Sequence, residues 1–205
     1  MSNFDEKAAN WDDNPDHFER ALKLATLMHT HVDLTEVKKA MEYGSGTGLL
    51  SFALKDSIPE ITLMDASEKM TEAALAKVKA QGITNLHPLQ YDFMDQPLPD
   101  VTYDLIYILQ TLHHIDDTDG FLNKSYQLLS PGGLLILIDL DKEDGDFHED
   151  DFHGHKGFER KVLEAQLKKA SFKPIHYSIC HTITKELEDG TTKEFPLFMM
   201  AGRKV

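Results

Sequence analysis

Short apolar runs alternate with longer amphipathic stretches through the middle of the chain. Five runs bounded by Gly, Pro or Asp predict strands that are buried on both faces: Ala40–Tyr43, Ile61–Met64, Leu86–Leu89, Tyr103–Leu109 and Leu134–Leu140. Stretches with helical spacing lie between them at Gly48–Leu54, Glu68–Gln81 and Phe121–Leu129. A strand followed by a helix, repeated in this way, predicts a parallel sheet with right-handed crossovers.

The two ends of the chain do not follow this alternation. Asn14–His31 predicts an amphipathic helix whose apolar side consists of Phe18, Ala21, Leu22, Ala25 and Met28. Phe158–Ala170 predicts a second one, with Val162, Leu163 and Leu167 facing inward. Two strand-like segments follow, Ile175–Thr184 and Phe195–Arg203, joined by a polar stretch that contains Asp189-Gly190. The pattern therefore predicts an α/β fold with a single doubly wound, seven-stranded, mostly parallel sheet that ends in a C-terminal antiparallel hairpin.

The composition is that of one globular domain with an acidic surface. The chain has 205 residues, of which 41% are hydrophobic and 27% charged, and its formal net charge is −14. Nucleic-acid binding depends on clustered Lys and Arg that neutralise phosphates, and no such run is present. We therefore expect no nucleic-acid partner.

Cysteine usage and the terminal sequence predict a cytoplasmic protein that does not bind a membrane. Cys180 is the single cysteine, so no intrachain disulfide can form. The start of the chain lacks the basic and then apolar pattern of a signal peptide. The longest apolar run, Leu134–Ile138, is far too short to cross a bilayer.

The sharpest local signal is a glycine-rich loop, Gly44-Ser45-Gly46-Thr47-Gly48, between the first predicted strand and the first predicted helix. Glycine lets the backbone turn tightly and approach a ligand without an intervening Cβ. Such a loop alone is a weak signal, because many doubly wound proteins bind nucleotides at this point. Asp65 makes it more specific: it lies 19 residues beyond Gly46, at the end of the second strand, where a carboxylate can bind both hydroxyls of a ribose.

Carboxylates end three successive predicted strands: Glu42, Asp65 and Asp92. Asp92, within Tyr91-Asp92-Phe93, is placed to accept from an adenine amino group. Three acids at one edge of the sheet suit a pyrophosphate poorly. They suit an uncharged nucleoside that bears a cationic group, and S-adenosylmethionine, with its sulfonium and ammonium groups and no phosphate, has this character.

With these motifs the chain resembles the class I S-adenosylmethionine-dependent methyltransferase family, which has a Rossmann-like fold, and particularly its small-molecule branch. The resemblance spans nearly everything from Phe4 to Val205. It is carried by five segments, namely Phe4–Asp12, Glu42–Gly48, Met64–Met70, Asp104–Gln110 and Leu128–Leu134. It implies methyl transfer to a small-molecule acceptor, with S-adenosylmethionine as cofactor.

The resemblance also implies roles for the matching positions. Gly44 and Gly46 would lie against the methionine part of the cofactor, and Glu42 would help to hold its ammonium group. Asp65 would bind the ribose, and Met70 would cover one face of the adenine. Asp92 and the backbone of Phe93 would hold the adenine edge, while Gln110 would border the sulfonium. Ser45 and Ala66 complete the expected cofactor site. Other readings stay open: Glu42 as a cap of backbone groups in the loop, Asp92 as a turn residue, and Met70 as a core residue.

Two histidines follow the fourth predicted strand, within Gln110-Thr111-Leu112-His113-His114-Ile115. Acceptors enter at this loop in the family, so His113 or His114 is the candidate catalytic base or acceptor-positioning group. The alternative is that one packs against the sheet and the other orders the loop. The loop lacks the Asn/Asp-Pro-Pro-aromatic motif of amino-methylating DNA and protein-glutamine enzymes. Cys180 lies in a late strand, where it cannot serve as the nucleophile of a cytosine methyltransferase.

The segment Asp139–Gly157 is crowded with acidic residues and histidines: Asp144, Asp146, His148, Glu149, Asp150, Asp151, His153 and His155. It could close over the active site or bind a divalent metal. His153 and His155 around Gly154 match no familiar ligand spacing, so we expect a solvated acidic lid and no metal site. His153 and His155 are candidate acceptor contacts, since the family often places substrate-facing residues here, before Gly157-Phe158. Trp11 is expected to close the opposite side of the acceptor site, or else to pack the N-terminal helix.

These expectations treat residues 1–205 as one domain. It comprises an N-terminal helical segment (1–35), a cofactor-binding core (36–140), the acidic His-rich loop (141–157) and a C-terminal helix with hairpin (158–205). A nicotinamide-dependent dehydrogenase is a rival, but it would prefer glycine or alanine where Leu49 stands. A non-catalytic S-adenosylmethionine-binding module is the second rival, because methyl transfer demands no particular catalytic residue.

Overall fold

Helices and strands alternate through residues 3–148, 152–187 and 189–205, which a computed structural model of the protein describes. The helices are α1 (Asn3–Lys7), α2 (Pro15–His31), α3 (Leu49–Leu54), α4 (Glu68–Ala80), α5 (Thr118–Leu128) and α6 (Arg160–Lys169). The strands are β1 (Lys39–Tyr43), β2 (Glu60–Asp65), β3 (Leu86–Gln90), β4 (Tyr103–Leu109), β5 (Leu129–Leu140), β6 (Phe172–Glu186) and β7 (Thr192–Lys204). Short 3-10 helices occupy Ala8–Asp13 and Leu112–His114.

The strands form one seven-stranded sheet in the order β3-β2-β1-β4-β5-β7-β6. The pairs from β3 to β5 are parallel, whereas β7 pairs antiparallel with both β5 and β6. The predicted doubly wound sheet with its C-terminal antiparallel hairpin is confirmed. The strand order reverses between β1 and β4, and the crevice at the carboxyl ends of these strands is where such sheets bind ligands.

Two apolar cores lie on opposite faces of the sheet. In β4, Leu105 and Tyr107 join the core beneath α2, α3 and α4, while Ile106 and Ile108 join the core beneath α5 and α6. This alternation follows from the two-residue period of a strand, and it favours apolar residues on both faces of a central strand. The central strands therefore appear in the sequence as mainly apolar runs, with Glu42 in β1 and Asp139 in β5 as buried exceptions.

Four predicted details are wrong. The expected burial of β3 on both faces fails because β3 is an edge strand, in which Leu89 is 40% exposed. In α2, the residues that face the core are Ala21, Leu24, Ala25 and Met28, whereas Phe18 and Leu22 are exposed. Val162 of α6 is exposed, while Leu163 and Leu167 are buried as expected. β5 also begins at Leu129, five residues before the apolar run, because Leu129 pairs with Tyr103 ahead of a register shift.

The loop after β5 returns to the sheet at Gly157 and Phe158. Asp141 and Phe158 form an isolated parallel bridge, and the Phe158 N–H donates to the Leu140 carbonyl at 2.9 Å. Gly157 adopts φ +64, and a Cβ there would lie 2.1 Å from the Asp141 carbonyl oxygen. Glu149, Asp150 and Asp151 of the predicted acidic loop lie outside the described residues. Among the helices of the described ranges, we find none with the length and apolar character needed to span a membrane.

Candidate cofactor and acceptor site

The glycine loop packs against the end of β4 on one side and is open on the other. Gly44 has φ +66, and a Cβ on it would lie 2.3 Å from Thr111 Cγ2. Gly46 has φ +54, but the nearest atom to its Cβ position is Met70 Sδ, at 3.9 Å. Gly44 is thus required by contact with the protein itself. The space in front of Gly46 is the side on which a ligand can approach the backbone.

Asp65, at the carboxyl end of β2, is hydrogen-bonded to the glycine loop. Its Oδ2 accepts from the Gly46 N–H at 2.7 Å, and its Oδ1 accepts from the Ser67 N–H at 2.8 Å. Burial raises the pKa of Asp65, opposed by the N–H groups of Ser67 and Gly46. A carboxylate has about four acceptor positions. Two bonds therefore leave capacity for ligand hydroxyl groups.

Asp92 is held by Tyr43, a residue that the sequence analysis did not single out. The Tyr43 hydroxyl donates to Asp92 Oδ1 at 2.5 Å, and the Met94 N–H donates to the same oxygen at 2.7 Å. Burial and this bond to Asp92 raise the pKa of Tyr43. The ring of Tyr43 packs against that of Phe93 at 4.4 Å between centroids. Both donors bind Oδ1 and fix Asp92 at the sheet edge, and neither of them binds its second oxygen, Oδ2.

Glu42 is buried beneath the loop and bonded to helix α3. Its Oε2 accepts from the Ser51 N–H at 3.2 Å and from the Ser51 hydroxyl, which also contacts the Tyr107 hydroxyl at 2.6 Å. This matches the alternative in which Glu42 serves backbone groups near the loop. Its role toward an ammonium group stays a prediction. Burial raises the pKa of Glu42 to about 8, against the Ser51 hydrogen bonds, which lower it.

We expect Glu42→Gln to change the pH dependence of stability. The folded-state pKa of about 8 lies above the ordinary value of 4.5, so the folded protein binds more protons between these values and loses stability as pH rises. Between pH 5 and pH 8, the wild-type protein should therefore lose more than about 1 kcal/mol of unfolding free energy that the Glu42→Gln variant keeps. Urea unfolding at both pH values measures this. Glu36→Gln, at an exposed glutamate, controls for the lost charge; equal pH profiles in the two variants would contradict the assignment.

The N-terminal segment lies across the loop and adds two acids that the sequence analysis missed. The Thr47 hydroxyl donates to Asp12 at 2.5 Å, and the Ser67 hydroxyl donates to Asp5 at 2.6 Å. Lys77 of α4 forms an ion pair with Asp12 at 2.6 Å. Trp11 lies in this segment, where its carbonyl accepts from His17 Nδ1 at 3.0 Å. Its predicted acceptor contact stays a prediction.

The other predicted cofactor residues surround the same edge of the sheet. Gln110 has φ +47, an uncommon value for a side-chain-bearing residue, and its N–H donates to the Ile138 carbonyl at 2.8 Å. Ser45 and Met70 are buried, as is Phe93, whereas Ala66 is exposed. Their roles toward the cofactor are untested predictions, and the buried Met70 also serves the core.

His113 and His114 begin the acceptor side of the site, directly after Thr111, whose hydroxyl donates to the Gly44 carbonyl at 3.2 Å. His113 is buried, and its Nδ1–H donates to Asp139 Oδ1 at 2.6 Å. His114 is exposed, with its ring 4.1 Å from that of His113. Although the residue as a whole is exposed, its ring packs against His113, and the desolvation of the ring together with the neighbouring imidazole of His113 lowers the pKa of His114 to about 4, so the ring is neutral at pH 7.

The described parts of the loop after β5, residues 141–148 and 152–157, contact these two histidines. The ring of His148 lies 4.9 Å from that of His113, and burial lowers the pKa of His148 to about 4. The His155 N–H donates to the His113 carbonyl at 2.7 Å, and its Nε2 contacts the Ile115 carbonyl at 3.0 Å. His155 therefore fastens the loop to the acceptor side, whereas His153 is exposed. Their predicted acceptor contacts remain to be tested.

The side chains at the carboxyl ends of β1 to β3 fit a phosphate-free adenosine derivative. The groups next to the open side of Gly46 include the acceptors Asp65 and Asp92, which match hydroxyl and amino donors. Lys77 lies near this edge, but its charge is already paired with Asp12. A pyrophosphate bound here would therefore lie against several carboxylates, which repel it.

Comparisons with known proteins find methyltransferases that resemble the middle of the chain. Residues 41–137 match a family model described as a methyltransferase domain. A demethylmenaquinone methyltransferase of Geobacillus stearothermophilus is 28% identical over 125 residues, which are 60% of this chain and 53% of the relative. A ubiquinone/menaquinone biosynthesis C-methyltransferase of Vibrio vulnificus is 28% identical over 109 residues, covering 51% of this chain and 42% of the relative. The chain thus spans about half the length of the curated relatives it matches.

A solved structure agrees at the level of the fold. The crystal structure of an S-adenosylmethionine-dependent methyltransferase from Aquifex aeolicus matches with a TM-score of 0.67 at 20% identity, covering 94% of this chain and 99% of that one. The sheet order, the glycine loop and the strand-end acids are consistent with this match. Residues 41–137 of the chain are thus similar to methyltransferase domains, and the chain shares its fold with a solved S-adenosylmethionine-dependent methyltransferase.

Proposed function

We propose that the protein transfers a methyl group from S-adenosylmethionine to a small-molecule acceptor by in-line displacement. The observation that carries the proposal is the bond between the Asp65 carboxylate and the Gly46 N–H, at 2.7 Å, which joins the acid of β2 to the open side of the glycine loop. The match of residues 41–137 to the methyltransferase-domain model supports it. When bound, the cofactor supplies an electrophilic methyl group on its sulfonium.

Three carboxylates hold the cofactor in this proposal. Asp65 accepts the two ribose hydroxyls with the acceptor positions that Gly46 and Ser67 leave free. Asp92 accepts from the adenine amino group while Tyr43 keeps its other oxygen in place. Glu42 gives up its proton to carry the charge that faces the ammonium group. A nearby cation stabilises the ionised form of a carboxyl group, so it would offset the raised pKa of Glu42.

Catalysis rests mainly on positioning and on exclusion of water. Holding two reactants in line can supply about 7–11 kcal/mol of the barrier. A base is needed only where the acceptor carries a proton at the working pH. His114, which is exposed and neutral at pH 7 next to Thr111, is the candidate for that role.

The acceptor in this proposal is neutral or weakly cationic. A net charge of −14 disfavours an anionic acceptor in free solution. The names of two relatives mention quinones, so a reduced quinone ring that lacks its methyl group is the first candidate. The direct test incubates the protein with S-adenosylmethionine and a demethylated naphthoquinol, and measures S-adenosylhomocysteine release. Cofactor binding without product in a panel of phenol, amine and thiol acceptors would favour a non-catalytic binding module.

We expect Asp65→Ala to weaken S-adenosylmethionine binding tenfold or more, because charge-assisted hydrogen bonds contribute about 1.5–3 kcal/mol each. Isothermal titration calorimetry gives the affinity, and circular dichroism checks that the loop change leaves the fold intact. Asp56→Ala, at an acid whose side chain is 87% exposed, is the matched control. Equal affinities in the two variants would remove Asp65 from the cofactor site.

A further inference from the structure

Three histidines from two separate segments meet at the acceptor side of the site: His113, His114 and His148. One ligand nitrogen of each lies within 4.8 Å of the others. The first two belong to the 3-10 helix Leu112–His114, and the third belongs to the loop after β5. Imidazole is a common ligand of zinc and of other divalent transition metals.

Two of these rings carry a buried nitrogen that makes no hydrogen bond within residues 3–148, 152–187 and 189–205. His113 Nε2 and His148 Nε2 are both buried and lack a hydrogen-bond partner within the described part of the chain. Leaving a buried polar group without a partner costs about 1–3 kcal/mol, so native proteins rarely keep one without a reason. A cation bound between the two nitrogens would satisfy both of them.

Asp139 fixes His113 in the form that binds a metal. Its carboxylate accepts the Nδ1–H of His113 at 2.6 Å, so the proton is on Nδ1 and the lone pair is on Nε2. The carboxylate is itself held by the N–H groups of Leu140, at 2.7 Å, and of His113, at 3.2 Å. A carboxylate behind a histidine is the usual support of a metal-binding imidazole, because it sets the tautomer and raises the basicity of the ligand.

We propose that His113, His114 and His148 bind a divalent transition-metal cation, with Zn²⁺ as the first candidate. Three protein ligands are typical of zinc sites whose fourth position holds water or substrate. Zn–N bonds of about 2.0–2.1 Å require nitrogens about 3.3 Å apart. The three nitrogens now lie within 4.8 Å of one another. For them to bind one Zn²⁺, the loop that carries His148 would have to move closer by up to about 1.5 Å.

The site would tie His148 to the 3-10 helix Leu112–His114 that follows β4, and its fourth coordination position would stay open. Two lysines oppose the cation, since Lys7 and Lys185 lower the pKa of His148 and Lys7 also lowers that of His114. The buried Asp139 carboxylate acts in the opposite direction. A metal at this site would occupy a nitrogen of His114, so His114 could act as the base of methyl transfer only in the metal-free protein. Metal binding is measured without methyl transfer, so the two proposals can fail separately.

Titration of the chelator-treated protein with Zn²⁺ by calorimetry, and with Co²⁺ by visible absorption, tests the site. We expect one equivalent of Zn²⁺ and the intense Co²⁺ bands of a four-coordinate nitrogen site. His148→Ala and His114→Ala should each weaken metal binding by about 100-fold. Removing a residue that only supports a metal ligand costs about 10–100-fold in affinity, and removing the ligand itself should cost no less. Circular dichroism checks folding, and because the side chain of His114 is exposed, His114→Ala decides the matter if His148→Ala is unstable.

His31→Ala is the matched control. His31 stacks on His176 at 4.3 Å between ring centroids, so this pair is the competing place for a soft cation to bind. The control should keep the full affinity and the Co²⁺ spectrum. Loss of binding in His31→Ala with retention in His114→Ala would overturn the proposal, as would a wild-type protein that takes up no metal.

Discussion

Gly157→Ala should destabilise the protein by about 3–4 kcal/mol. The new Cβ would lie 2.1 Å from the Asp141 carbonyl oxygen and 2.7 Å from its carbon, so backbone has to move. Overpacking of this kind costs about 1–3 kcal/mol. The left-handed φ of +64 adds about 1–2 kcal/mol for any residue with a Cβ. The midpoint and slope of urea unfolding at 25 °C give the change in free energy.

Gly82→Ala isolates the contribution of the backbone angle. Gly82 has φ +63, nearly the same as Gly157, but nothing lies within 4 Å of its Cβ position. We therefore expect a loss of only about 1–2 kcal/mol for this variant. Equal losses of stability in the two alanine variants would contradict the close contact between Gly157 and Asp141 at the end of β5. The placement of His148 next to His113, which depends on that contact, would then also be contradicted.

Asp139→Ala should be the most destabilising change on the acceptor side, at about 3–5 kcal/mol, because it leaves several buried hydrogen-bond donors without an acceptor, at about 1–3 kcal/mol each. Asp139 is fully buried and accepts from His113 Nδ1, the His113 N–H and the Leu140 N–H. All three donors lose their acceptor together. Differential scanning calorimetry and urea unfolding both measure the loss.

Asp119→Ala is the comparison for an exposed acid. Asp119 pairs with Lys169 at 2.6 Å, with side chains that are 38% and 73% exposed. Such a surface pair contributes about 1 kcal/mol or less. Losses of similar size in the Asp119 and Asp139 variants would contradict the buried His113–Asp139 pair and remove the support of the proposed metal site.

The sequence predicted the central strands and the strand-end acids for one physical reason. A central parallel strand is mostly apolar on both faces, so β1 and β4 appear as largely apolar runs, interrupted by Glu42 in β1 and by Asp104 in β4. Parallel topology then brings the residues that follow each run to the same edge, which places Asp65 next to Gly46. The burial of β3 was predicted wrongly because local composition does not say whether another strand pairs on the outer side.

The missed residues of the site share a different property, which is contact over a long separation in sequence. Tyr43 bonds to Asp92 across 49 residues, and Thr47 bonds to Asp12 across 35. His148 meets His113 only because Gly157 and His155 return the loop to the end of β4. No spacing along the chain signals such a contact. The expectation of an acidic lid without a metal considered His153 and His155, and overlooked the histidines that converge in space.

The segment from α1 to Asp13 is attached to the glycine loop almost wholly by polar bonds. Ala8 is its one buried residue among the described side chains, and its ties run through Asp5 and Asp12 to hydroxyl groups and Lys77. Contacts of this kind break at a small fraction of the global unfolding free energy. We therefore expect this segment to open at a lower free energy than either core unfolds, so its amide hydrogens should exchange faster than those of β1 and β4.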